Sequence, residues 1–163
     1  ESSHEYIYCT DNDAFHDPDF IHTLLTLFTS IGAGNLPVCL YNSYYHNNDK
    51  NIVFNKDGIS LKRTAPGISM FFDREMVETI LNKVDTAPPA HAAFEWDYRS
   101  CTYLEKFFLT SNISYLEHFG FGGIHYSEQN NDRAITPTPY IIRTQRPILD
   151  YLQKDYVIPE CTL

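Results

Sequence analysis

The run Glu-Tyr-Ile-Tyr-Cys-Thr-Asp-Asn-Asp-Ala-Phe-His-Asp-Pro-Asp-Phe, positions 5–20, constrains this chain more than any other stretch. Tyr6 to Cys9 have the apolar character of a buried strand. Asp11 and Asp13 follow, one residue apart, and Asp17-Pro18 then signals a helix start. A strand that gives way to a helix so quickly points to an α/β layer. Such layers bind ligands beyond the carboxyl ends of their strands. Two carboxylates held together there repel unless a cation neutralises them. Asp-Asn-Asp is also ordinary turn and cap chemistry, so the acids have a second reading.

Downstream, helical and extended patterns alternate. Phe20, Leu24, Leu27, Phe28 and Ile31 fall at helical spacing within 17–31, and Gly32-Ala-Gly34 ends that helix. Residues 36–45 read as a strand, 46–51 as a polar loop, 51–54 as a short strand and 55–58 as a turn. Residues 67–72 read as another buried strand, after which Asp73 caps a helix over 74–84. A loop at 87–92 leads into a helix over 93–108, with Phe94, Tyr98, Cys101, Leu104 and Phe108 on one side. Residues 112–120 alternate as a strand, a Gly-, Asn- and Pro-rich loop covers 121–139, and a helix over 145–156 closes the chain. This order predicts one α/β domain over 1–163, a mixed sheet with flanking helices. A central position for Tyr6–Cys9 requires neighbours on both edges, which the four or five preceding residues do not supply.

Hydrophobic residues make up 43% of the chain and aromatic ones 15%, enough to build a core. The formal charge of −9 argues against nucleic acid as a partner, since phosphate binding needs clustered Lys and Arg. An anionic substrate would then need a metal or a few local basic residues. Cys9, Cys39, Cys101 and Cys161 are widely spaced and form no zinc-knuckle pattern, so reduced structural thiols are expected. No apolar run reaches the ~18–20 residues of a membrane-spanning helix. With no signal-peptide pattern either, a cytoplasmic setting is the expectation. The chain opens on Glu1, which reads as a fragment or a processed chain.

The stretch from Tyr8 to Ile21 resembles the D-x-D segment of GT-A fold glycosyltransferases, family 2 and its relatives. The resemblance implies that Asp13 ligates Mn²⁺ or Mg²⁺, and that Asp11 contacts the metal or the ribose of a nucleotide-sugar, with Asn12 beside it. Residues 63–72 are similar to the turn and strand on the acceptor side, which implicates Gly67 and Ile68. Residues 94–100 are similar to the acidic segment that supplies the base, which implicates Asp97 first and Glu95 second, with Trp96 against the acceptor sugar. Residues 115–125 are similar to the region that places a His on the metal or over the phosphates, which implicates His118 and then His125. Arg133 would close over the diphosphate as a lid. The resemblance covers only the second half of the family's domain. Upstream residues or a partner chain would supply the nucleotide-holding half, so no uridine pocket can be named.

Each residue also has a plainer role. Asp97 could complement a helix dipole, Trp96 could be core, and His118 could be structural. Lys62 and Arg63 could offset phosphate charge or form a solvated pair. The Tyr-rich segment 41–46 could line a groove or pack a strand, and His16 could merely flank the helix cap. The leading expectation is a metal-dependent transferase that moves a sugar, most simply from a UDP-sugar, to a saccharide or glycan hydroxyl with inversion. The alternative is a non-catalytic carbohydrate-binding or assembly module of a larger glycan synthase. A metal-dependent phosphoester hydrolase ranks behind both: His118 or Asp97 could add a ligand, but no hydrolase-like set of motifs accompanies the acids.

Overall fold

The computed structural model describes residues 5–30, 36–56, 58–93, 95–118 and 134–135. They form a mixed α/β structure. Strands β1 (Tyr6–Cys9), β3 (Val38–Cys39), β4 (Ile52–Lys56), β5 (Ile59–Lys62), β6 (Met70–Asp73) and β7 (Phe108–Ser111) make one sheet in the order β1-β6-β3-β7-β5-β4. Only β3 and β7 run parallel; every other neighbouring pair is antiparallel. A separate ribbon pairs β2 (Ala14–His16) with β8 (Leu116–His118). The helices are α1 (Phe20–Ser30), α2 (Arg74–Thr86) and α3 (Trp96–Leu104), with a 3₁₀ turn at Pro89–Ala93.

The central strands are buried because their side chains are apolar on both faces. Met70, Phe71 and Phe72 of β6, Val38 and Cys39 of β3, and Phe108 and Leu109 of β7 belong to one core. Helix α1 adds Leu24 and Phe28 at i, i+4 spacing. The Phe28 ring meets those of Phe71 and Tyr6 at 5.1 and 5.4 Å, edge to face. Helix α2 starts where the sequence places it: the Asp73 carboxylate accepts the Met76 N–H at 2.8 Å.

Several expectations are corrected. Strand β1 is an edge strand among the described residues, not a buried centre; Tyr6 is 42% exposed and β6 is its one pairing partner there. Helix α1 begins at Phe20, because Asp17 turns the chain first: its carboxylate accepts the Asp19 N–H and its carbonyl the Phe20 N–H. The helix over 93–108 stops at Leu104. Glu105 adopts φ 54°, and the chain then extends into β7, where Phe108 and Leu109 are buried. Tyr98 is 53% exposed and off the packed face. The turn at 55–58 is the end of a hairpin, with Asn55 and Lys56 still in β4 and Gly58 at φ 83°. Of residues 36–45, only Val38–Cys39 form a ladder. Residues 40–42 are instead held by the segment before β8, through Tyr115 N–H to the Leu40 carbonyl and Asn42 N–H to Ser114 Oγ. The closing helix at 145–156 lies outside the described residues.

Candidate functional site

After Cys9 the chain leaves the sheet and is pinned at once. Thr10 Oγ1 donates to the Ile68 carbonyl at 2.8 Å. A turn closed by Ala14 N–H to the Asp11 carbonyl then carries Asn12 exposed at its tip and returns Asp13 to the ribbon. In that ribbon Ala14 faces His118, so Asp13 stands beside the imidazole. His118 Nε2 lies 3.2 Å from Asp13 Oδ2. One ligand atom from each of Asp11, Asp13 and His118 falls within 4.8 Å of the others, and all three residues are half-buried. Burial pushes the Asp11 carboxyl above the ordinary range, and the Asp13 charge adds to that, while His118 opposes it. Two carboxylates and an imidazole, partly desolvated and converging, make a donor set that could hold a divalent ion.

Facing them is the turn at Pro66-Gly67-Ile68, which is buried. Gly67 N–H donates to Asp97 Oδ2 at 3.1 Å, and Tyr98 N–H donates to Asp97 Oδ1 at 2.7 Å. A Cβ on Gly67 would sit 2.8 Å from Trp96 Cζ2 and 3.0 Å from Asp97 Cβ, so the indole rests on bare backbone. Between the two sides lies a cleft of ≈ 460 Å³, whose lining includes Asp11, His118, Gly67, Trp96 and Asp97.

Next in sequence to the lining residue Ile68, Ser69 Oγ accepts Tyr8 OH at 3.2 Å and also the Leu40 N–H. Tyr8 OH lies 2.9 Å from His16 Nε2, and Thr10 Oγ1 lies 3.3 Å from the same atom. Burial pushes the Tyr8 hydroxyl up to about 12 and lowers the His16 imidazole. His16 thus ties Tyr8 and Thr10 together, packed 4.4 Å from the Phe20 ring, and does more than flank a cap.

No protein-family model matches this chain, and no curated protein matches its sequence.

The structure brings Asp11, His118, Gly67, Ile68, Glu95, Trp96 and Asp97 to one cleft, with Asp13 in the cluster at its side. Asn12 is exposed and is not among the lining residues. His125 and Arg133 lie outside the described residues. Lys62 is no solvated partner of Arg63: it is 1% exposed, and its ammonium donates to Asn42 Oδ1 at 2.7 Å. Arg63 places its guanidinium 5.7 Å from the centre of the Phe107 ring. Tyr41 and Pro66 also line the cleft. Tyr41 comes from the Tyr-rich segment, whose Tyr44 and Tyr45 are instead exposed.

Proposed function

We infer that this chain is the metal-holding and acceptor-side part of a glycosyltransferase that uses a nucleotide-sugar. The observation that carries the reading is the convergence of Asp11, Asp13 and His118 across a cleft from the Asp97 carboxylate. The lining also supports it. The described residues around the cleft include no Lys or Arg, so a diphosphate there needs its counter-charge from an ion. Asp11, Asp13 and His118 would hold that ion, and the imidazole among the donors favours Mn²⁺ over Mg²⁺. The ion would stabilise negative charge developing on the leaving diphosphate.

Asp97 acts as the base in this reading. Its two oxygens are oriented by the Gly67 and Tyr98 N–H groups, which leaves lone pairs for an acceptor hydroxyl. The hydroxyl oxygen attacks the anomeric carbon and its proton passes to Asp97. The bond from that carbon to the diphosphate oxygen breaks, and the electron pair leaves with the nucleoside diphosphate. Attack opposite the leaving group inverts the centre. Trp96 would cover an apolar sugar face, and Glu95 would stand as second acid at the rim. The outer edge of β1, unpaired among the described residues, is where this reading places the nucleotide-holding strands.

Calorimetric titration with UDP-sugars, with and without Mn²⁺, tests the reading. Binding that requires Mn²⁺ and is lost in Asp13→Ala supports it. Saccharide binding indifferent to metal and nucleotide would instead favour a carbohydrate-binding module.

A further inference from the structure

Beside the cleft lies a second cavity, of ≈ 560 Å³, and the two share Glu95 and Asp97. The rest of its described lining is His46, Thr64, Ala65, Tyr98 and Cys101. The Asp97 carboxylate, fixed by two backbone N–H groups, therefore stands where the two spaces meet.

The lining restricts what can enter. Ala65, Cys101 and the Tyr98 ring supply apolar surface. Cys101 is no nucleophile: its thiol donates to the Ala65 carbonyl at 3.6 Å, and burial pushes it up to about 12. Polar groups occupy other positions, with His46 Nδ1 and Thr64 Oγ1 2.8 Å apart. The lining includes two carboxylates and, among the described residues, no Lys or Arg. The adjacent Arg63 is engaged over Phe107. A carboxylate- or phosphate-bearing guest would meet Glu95 and Asp97 without a counter-charge, and desolvating like charges together is costly. A purely apolar guest would strip water from the Glu95 and Asp97 carboxylates and offer them no hydrogen bond in return. A pyranose ring combines a C–H face with hydroxyl edges, and it matches both parts of the lining. The volume falls within the usual range of small-molecule sites, about 300–1,000 Å³.

We propose that this second cavity binds a neutral saccharide residue, the acceptor, with its apolar face on Tyr98 and one hydroxyl toward Asp97. The acceptor role rests on the glycosyltransferase reading; the choice of ligand rests on the cavity alone. The test uses the full chain in chelator, without nucleotide, titrated with the methyl glycosides of glucose, galactose, N-acetylglucosamine and glucuronic acid. At least one neutral glycoside binds saturably, and the glucuronide binds about tenfold more weakly or worse, as uncompensated like charge demands. Tyr98→Ala weakens the neutral ligand by about tenfold, the scale of a lost stacking contact, while Tyr98→Phe retains it. Circular dichroism confirms that both variants are folded. The proposal is overturned if no neutral glycoside saturates, if the glucuronide binds as well as the others, or if folded Tyr98→Ala binds normally. A parallel titration with UDP and Mn²⁺ separates the two readings. If it fails while the glycosides bind, the acceptor role is overturned and a saccharide-binding cavity is left.

Discussion

Where the acid-bearing side of the cleft rests on a ribbon of two three-residue strands, the facing side is a buried turn closed against the first turn of α3. The carboxylates differ in the same way. Asp97 receives two backbone N–H groups. Asp11 and Asp13 share a half-buried corner with one imidazole, and the Asp11 carboxyl is driven up by burial and by its neighbour's charge. One side is complete in itself. The other gathers donors that could hold a cation.

The hardest way to break this contrast is Asp13→Ala. Mn²⁺ affinity should fall by at least about a hundredfold, the upper end of what loss of even a supporting outer partner costs. Calorimetry with Mn²⁺ alone checks it, and an unchanged affinity would remove the acid-bearing side as a metal site. Gly67→Ala attacks the other side. The added methyl must displace the Trp96 indole and crowd the Asp97 Cβ, so unfolding free energy should drop by about 2 kcal/mol, in the range for overpacking. Urea unfolding followed by circular dichroism measures that drop; a variant as stable as wild type would show that the turn is looser than its contacts indicate. Tyr8→Phe acts on the tie between the sides and strips one partner from Ser69 and His16. A loss of about 1 kcal/mol is expected in the same assay.

The smallest effect sharpens the electrostatic half. The folded form binds the Asp11 proton more tightly than the unfolded chain does. Metal-free stability therefore falls as pH rises from the ordinary Asp value to the raised folded one, and stays lowered above it. Asp11→Asn removes that slope. In chelator the variant should melt slightly above wild type at neutral pH and lose the advantage in acid. Thermal melts between pH ~4 and ~7 decide it.

Local signals in the sequence carried well. Asp73 announces α2 because a cap acts over three residues, and Leu24 and Phe28 announce α1 because its buried stripe is periodic. Asp11 and Asp13 stood out by residue type and by their place after an apolar strand, whereas His118 and Asp97 were implied by the family resemblance alone. Partnerships between distant segments were not legible. Strand β2 is three residues, too short for periodicity; β8 falls within the alternating stretch 112–120, but nothing local announces that Ala14 pairs with His118. Strand β7 was hidden because Phe108 also fits the helical spacing of α3, and the break depends on the φ of Glu105. Burial of Lys62 was equally invisible. A lysine beside an arginine looks solvated until Asn42, brought in by a different segment, accepts from it.

Trp96 is the sole tryptophan of the chain, and it sits at the cleft rim, 43% exposed, against Gly67. Its intrinsic emission therefore comes from one place only. A ligand that covers the ring and expels water should shift that emission to shorter wavelength, and one bound elsewhere should leave it alone. The molecule thus carries an optical probe of its own, able to locate a guest without any label.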